Sequence, residues 1–216
     1  MESELNTQRR FWNKTIEEFD SIYSHRKGSL GTWLDRVFRK DMYQRYEYAL
    51  EHAQPIAGRT FLDVGCGTGR YALELARRGC KHVTGIDISE QMIGRCKDLA
   101  LKEELAEKTS FVQSDLLQFS STDIFDVAIG IGLFDYIADP LPVLKQMHTV
   151  IKDRAIMSFP RFWTWRAPVR KVRLALKGCP VYFFPRRRIQ RLLREAGYNR
   201  YSIQEVGKLF CVTAFK

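Results

Sequence analysis

The chain has 216 residues, of which 45% are hydrophobic and 28% charged, with a formal net charge of +10. These proportions exclude a disordered, collagen-like or disulfide-framework chain, and the length suits one α/β domain with a short cap. No run approaches the roughly 20 apolar residues of a membrane-spanning helix, and Met1-Glu2-Ser3-Glu4-Leu5-Asn6 lacks the basic-then-apolar pattern of a secretory leader.

Two helices are expected first, over 8–27 and 32–53, separated by Gly28-Ser29-Leu30-Gly31. In the second, Leu34, Val37, Phe38, Met42, Tyr46 and Ala49 recur near the helical period, with Arg45 the polar exception. Gln54-Pro55 and Ala57-Gly58 close this region, because proline disfavours helix in the residue before it. Strands and helices then alternate. A strand over 59–64 runs into glycines, and a helix over 69–79 is stopped by Gly79. A strand over 82–86 precedes a helix that Ser89 can cap and that runs to about residue 104. Strands over 110–113 and 123–129 follow, then a helix over 140–151 and a strand over 154–159. Such alternation calls for a mostly parallel sheet covered by helices on both faces. After a helix over 186–196, strands over 201–206 and 208–215 are separated by Gly207 alone, so they form a hairpin and one of them runs antiparallel.

Cys66, Cys80, Cys96, Cys179 and Cys211 form no Cys-x-x-Cys pair, so no zinc site is expected and the thiols are read as those of a reducing, cytoplasmic compartment. The basic residues cluster. From Arg161 to Arg194 eleven arginines and lysines occur with no Asp or Glu among them, a field suited to an anionic partner.

The chemistry is concentrated in Asp63-Val64-Gly65-Cys66-Gly67-Thr68-Gly69, at the turn from the first strand of the sheet into its helix. Glycines there let backbone N–H groups approach a ligand closely. Their spacing is Gly-x-Gly-x-Gly, not the Gly-x-Gly-x-x-Gly of nicotinamide cofactors, and Asp63 stands where a pyrophosphate would be repelled. S-adenosylmethionine has no phosphate and carries a sulfonium and an ammonium, which suit a carboxylate. Asp87, ending the second strand, is placed to accept from both ribose hydroxyls, and Asp115, after the third, from the adenine amino group. Each acid alone also reads as an exposed strand-end turn residue.

In order, Leu62-Asp63-Val64-Gly65-Cys66-Gly67-Thr68-Gly69, Gly85-Ile86-Asp87-Ile88-Ser89, Ser114-Asp115 and the run from Phe125 to Phe134 resemble the motifs of class I methyltransferases, over about residues 58–160. The resemblance implies a Rossmann-like, seven-stranded, mostly parallel sheet with helices on both faces, an antiparallel C-terminal hairpin and an N-terminal helical cap. The cap is expected over 1–57 and the S-adenosylmethionine-binding domain over 58–216, with a basic acceptor-side insert at about 160–185. Gly65 and Gly67 would then line the methionine moiety, Asp87 the ribose and Asp115 the adenine, with backbone from Ile131 near the amino-acid end. Asp63, Cys66, Gly69, Ile88, Met92 and Leu116 complete the expected cofactor set. Tyr23 resembles the N-terminal aromatic that closes over the cofactor in several members; packing of an aromatic helix face on the domain is its alternative.

Many small-molecule members carry a His-His or His-Trp pair after the fourth strand, where this chain has Asp135-Tyr136. Asp135 is the candidate base or acceptor-orienting group, with Tyr136 beside it, or else a turn cap. In the insert, Trp165, Val169, Val172 and Leu176 share a helical face ringed by Arg166, Arg170, Arg173 and Lys177. A lid over an acidic acceptor, peripheral contact with an anionic membrane and a packed helix with a solvated basic face all fit it. The insert's placement resembles that in the magnesium-protoporphyrin methyltransferases, without a motif for that substrate. The expected activity is methyl transfer to an oxygen or nitrogen of a small, acidic, partly apolar metabolite. RNA methylation and a non-catalytic cofactor-binding role remain as alternatives.

Overall fold

The computed structural model describes residues 8–10, 12–13, 40–119, 123–161 and 181–216. Residues 8–10 and 12–13 are helical. Helix α1 (Lys40–His52) leads to strand β1 (Thr60–Val64), helix α2 (Arg70–Arg77), β2 (His82–Asp87), α3 (Glu90–Lys102) and β3 (Thr109–Gln113). β4 (Phe125–Gly130), α4 (Leu141–Thr149), β5 (Ile151–Pro160), α5 (Arg186–Glu195), β6 (Arg200–Val206) and β7 (Leu209–Phe215) complete the chain. The seven strands form one sheet in the order β3-β2-β1-β4-β5-β7-β6. β1 to β5 pair in parallel, and β7 lies antiparallel between β5 and β6. The expected fold class and the terminal hairpin are as found.

Side chains alternate across this sheet with the period of two that strands impose. Leu62 and Val64 of β1 and Ala128 of β4 pack with α4 and α5, against Leu144, Met147, Ile189 and Leu193. Phe61 of β1 and Val127 and Ile129 of β4 face the other way, against α1, α2 and α3, through Ala49, Leu75 and Cys96. Asp63 falls on that second face, where the pattern asks for an apolar residue. Its carboxylate accepts the Ala72 N–H of α2 at 3.2 Å, which is why a buried acid is tolerated there. α1 belongs to the same core and is tied to the sheet by the Tyr48 hydroxyl, 2.9 Å from that of Thr213.

The sequence expectation fails at one joint. The helix read over 140–151 ends at Thr149, and β5 begins at Ile151, three residues before the expected strand start at Arg154. Lys152 and Asp153 hid that start, since charged residues argue against a strand. Here Ile151 pairs opposite Phe125 of β4, and the Asp153 charge is taken up by Arg59 at 2.7 Å. The first half of the expected 32–53 helix, with Leu34, Val37 and Phe38, lies outside the described residues, as does the insert face of Trp165, Val169, Val172 and Leu176. No helix among the described residues is long and apolar enough to cross a membrane.

Tyr198 is fully buried, edge-on to His148 with ring centroids 4.9 Å apart, and its hydroxyl has no hydrogen-bond partner among the described residues. A buried hydroxyl without a partner forfeits its hydration. Tyr198→Phe is therefore expected to leave stability unchanged or raise it by up to about 1 kcal/mol in equilibrium urea denaturation. A loss of that size would mean the hydroxyl is satisfied.

Candidate active site

The chain leaves β1 on one side and returns through β4 on the other, so the strand order reverses between β1 and β4. Ligands of such sheets bind outside the carboxyl ends of the strands at that reversal. The protein has a cavity of about 230 Å³ there, lined by the segments that follow β1, β2, β3 and β4.

The segment after β1 is the glycine turn. Gly65 and Cys66 both donate their N–H to the Ile86 carbonyl, at 2.8 and 3.0 Å, and the Gly67 N–H donates to Asp87 Oδ2 at 3.0 Å. Gly65 has φ +70°, and a Cβ there would meet Leu133 at 3.0 Å. The turn therefore needs glycine for its backbone and for its packing. Gly69 caps α2 with φ +81°, and a Cβ there would meet Cys96 Sγ at 3.0 Å. Cys96 in turn donates to the Gly67 carbonyl at 3.1 Å.

Asp87 holds two loops together. Besides Gly67, it accepts the Ser89 N–H at 2.9 Å, while Ser89 caps α3 by accepting the Met92 N–H at 3.2 Å. Loss of hydration raises the Asp87 carboxyl above its ordinary range, against the pull of these backbone donors. Asp115 follows β3, with Oδ1 accepting the Leu117 N–H at 3.2 Å. Beyond β4, Gly132 donates to the buried Ser158 hydroxyl at 2.9 Å, and a short 3₁₀ turn carries Phe134, Asp135 and Tyr136. Asp135 is 3% exposed and lines the cavity, and its carbonyl accepts the Tyr182 N–H at 2.8 Å.

Of the expected residues, Gly65, Cys66, Gly67, Asp87, Ile88 and Met92 line this cavity. So do Asp115, Leu116, Ile131, Asp135 and Tyr136. Asp63 and Gly69 are not in the lining. Asp63 lies beneath it, holding α2, and Gly69 starts that helix. Tyr23 lies outside the described residues.

Sequence reasoning missed the cover. Gln8 and Trp12 both line the cavity; Gln8 Nε2 donates to the Tyr136 carbonyl at 2.7 Å, and Trp12 meets the Tyr136 ring edge-on at 5.0 Å. The Ser89 hydroxyl donates to Asn13 Oδ1 at 2.6 Å. No local pattern encodes contacts made 128 residues away along the chain. Arg45 was visible as the polar exception on an apolar face, and it too lines the cavity.

Burial pushes the Asp63 carboxyl up to about 7, opposed by the Ala72 hydrogen bond and assisted by the charge of Asp87. Unfolded, this carboxyl titrates near 4, so between about pH 4 and 7 the folded chain binds more protons than the unfolded one. Stability from this group is thus lost as pH rises through that window. Asp63→Asn keeps an oxygen for Ala72 and removes the ionisation. Urea denaturation near pH 5 and pH 8 (about two units below and one unit above the folded value) should show the wild type weakening relative to the variant at the higher pH. A constant difference would contradict the assignment.

The sequence model of a methyltransferase-domain family matches residues 57–197. The chain is 29% identical over 159 residues to the 27-O-demethylrifamycin SV methyltransferase of Amycolatopsis mediterranei, covering 70% of this chain and 58% of that protein. It is 28% identical over 139 residues to a tRNA U34 carboxymethyltransferase of Haemophilus influenzae, covering 62% and 42%. The chain thus spans about half the length of these curated relatives. Among solved structures, the magnesium protoporphyrin IX methyltransferase of Synechocystis, crystallised with SAH, superposes with a TM-score of 0.79, at 22% identity and 99% coverage of both chains. That likeness establishes a shared fold.

Proposed function

The chain belongs to the class I S-adenosylmethionine-dependent methyltransferases, and from that membership we propose that it methylates an oxygen or nitrogen of a small, acidic, partly apolar metabolite. The observation that carries the reading is the meeting of the glycine turn, Asp87, Asp115 and Asp135 around one cavity at the switch point of the sheet.

The donor set fits S-adenosylmethionine. A carboxylate offers about four acceptor sites, and the backbone N–H groups of Gly67 and Ser89 occupy part of those on Asp87, leaving capacity for ribose hydroxyls. Asp115 would take the adenine amino group, with Ile88, Met92 and Leu116 as the apolar walls around the purine. The backbone of Gly65, Cys66, Gly67 and Ile131 would border the methionine moiety. Asp63 and Gly69 act one layer back, by fixing α2 and the turn. When bound, the cofactor supplies a methyl group already activated on a sulfonium.

The chain's own part is to align, exclude water and manage a proton. Gln8 and Trp12, held on Tyr136, close the cavity beside the 3₁₀ turn. Alignment supplies much of the acceleration in an in-line displacement. Asp135, buried in the wall, is the group to hold or accept the acceptor's proton.

A second reading, methylation of RNA, is favoured by the exposed Arg186, Arg187, Arg188, Arg191 and Arg194 of α5. RNA binding whose affinity falls steeply with salt, together with methylation of that RNA, would favour this alternative.

Two measurements test the main reading. Calorimetric titration with S-adenosylmethionine and S-adenosylhomocysteine should give micromolar binding that weakens about 100-fold in Asp87→Ala, as loss of charged hydrogen bonds predicts. No binding to the folded wild type would end the proposal. With an acidic acceptor in hand, Asp135→Asn should keep cofactor affinity while turnover falls by about 10²-fold or more. Unchanged turnover would remove Asp135 from the chemistry.

A further inference from the structure

We propose that the outer face of α5 docks on a membrane surface of anionic phospholipid. Ile189, Leu192 and Leu193 of α5 are buried against the sheet, while Arg186, Arg187, Arg188, Arg191 and Arg194 are exposed. Arg187, Arg191 and Arg194, spaced by four and three residues, stand in one row about 10 Å long on the side opposite the buried residues. Arg186 and Arg188 flank that row.

The charges of this row are uncompensated within the molecule. On the other side of the sheet Arg77 and Arg78 are each paired with Glu74, at 3.0 and 2.8 Å. Among the described residues no carboxylate pairs with an arginine of α5. Arg186 and Arg188 donate instead to the backbone carbonyls of Ile203 and Ala138, at 3.1 and 3.2 Å. Glu195, at the end of the helix, is its single acid. The arginines repel one another, and three of them crowd the first turn, where the helix dipole also disfavours cations. An opposing layer of anions offsets both costs.

A lipid surface matches the row. It is planar and presents many phosphates, each of which a guanidinium takes through two parallel hydrogen bonds. Single-stranded RNA is held through aromatic platforms on which its bases stack. The exposed large hydrophobic side chains among the described residues are Tyr43, Leu101, Val112, Leu117 and Ile124, and none is on α4 or α5. Docking is therefore electrostatic, with no inserted side chain. It also begins near the cavity. The Phe184 N–H donates to the carbonyl of Pro160, the last residue of β5, so α5 starts at the carboxyl edge of the sheet. Arg188 reaches Ala138, next in the chain to Ile137 of the cavity lining. A docked protein holds its cavity close to the phase in which a partly apolar acceptor collects.

Co-sedimentation of the full chain with lipid vesicles tests the proposal. The wild type should bind vesicles containing about one third phosphatidylglycerol, ignore pure phosphatidylcholine and be released as salt rises towards about 0.5 M. The triple variant Arg187→Gln, Arg191→Gln, Arg194→Gln should lose roughly 100-fold in partitioning, about fivefold per arginine, with a thermal midpoint no lower than that of the wild type. The triple variant Lys81→Gln, Lys97→Gln, Lys102→Gln removes the same charge from exposed positions away from α5, and should bind nearly as the wild type does. A wild type that ignores the anionic vesicles, an α5 variant that still binds them fully, or equal losses in the two variants overturns the proposal. Capture of poly(U) through the same arginines, with the vesicles left unbound, overturns it in favour of RNA.

Discussion

The hydrogen bond from the Gly67 N–H to the Asp87 carboxylate, 3.0 Å long, joins the two loops from which the rest of the site is built. One loop turns β1 into α2 and the other turns β2 into α3. Both leave the sheet at the same edge because β1 and β2 are adjacent and parallel. The Ile86 carbonyl reinforces the join by accepting from Gly65 and Cys66. The cavity floor is therefore rigid backbone belonging to the sheet itself, which suits a site that works by alignment.

Charge is arranged against the average of the chain. A protein with a net charge of +10 gathers Asp63, Asp87, Asp115 and Asp135 in or just beneath one crevice, while the exposed arginines of α5 lie on its surface. Burial strips the Asp63 and Asp87 carboxyls of water and raises both, and the charge of Asp87 raises Asp63 further. A cationic ligand relieves that strain, whereas a pyrophosphate adds to it. The same physics disfavours an anion in the crevice and favours a sulfonium and an ammonium.

The glycine turn and the acids at the strand ends were legible because each is a local signal. Spacing of Gly65, Gly67 and Gly69 specifies a backbone shape, and Asp87 and Asp115 sit where a strand must stop. The hairpin was legible because Gly207 leaves no room for a crossover. Three things were not. The start of β5 carries Lys152 and Asp153, and the Asp153 charge is met by Arg59, far away in the sequence. Asp63 lies on the apolar-facing side of β1, so it supports the site from behind instead of lining it. Gln8 and Trp12 reach Tyr136 through contacts that no sequence period announces. Arg45 lay between these cases: its anomaly showed, and its place in the cavity lining did not.

The central claim is the direction in which the cofactor lies across the switch point. A crystal structure of the complex with S-adenosylhomocysteine tests it most directly. The account predicts ribose hydroxyls within hydrogen-bond distance of Asp87, the adenine beside Asp115 between Ile88 and Leu116, and the amino-acid end past the glycine turn towards Gly132. A ligand bound away from this crevice, or lying in it with its nucleoside at Gly132, would contradict the account.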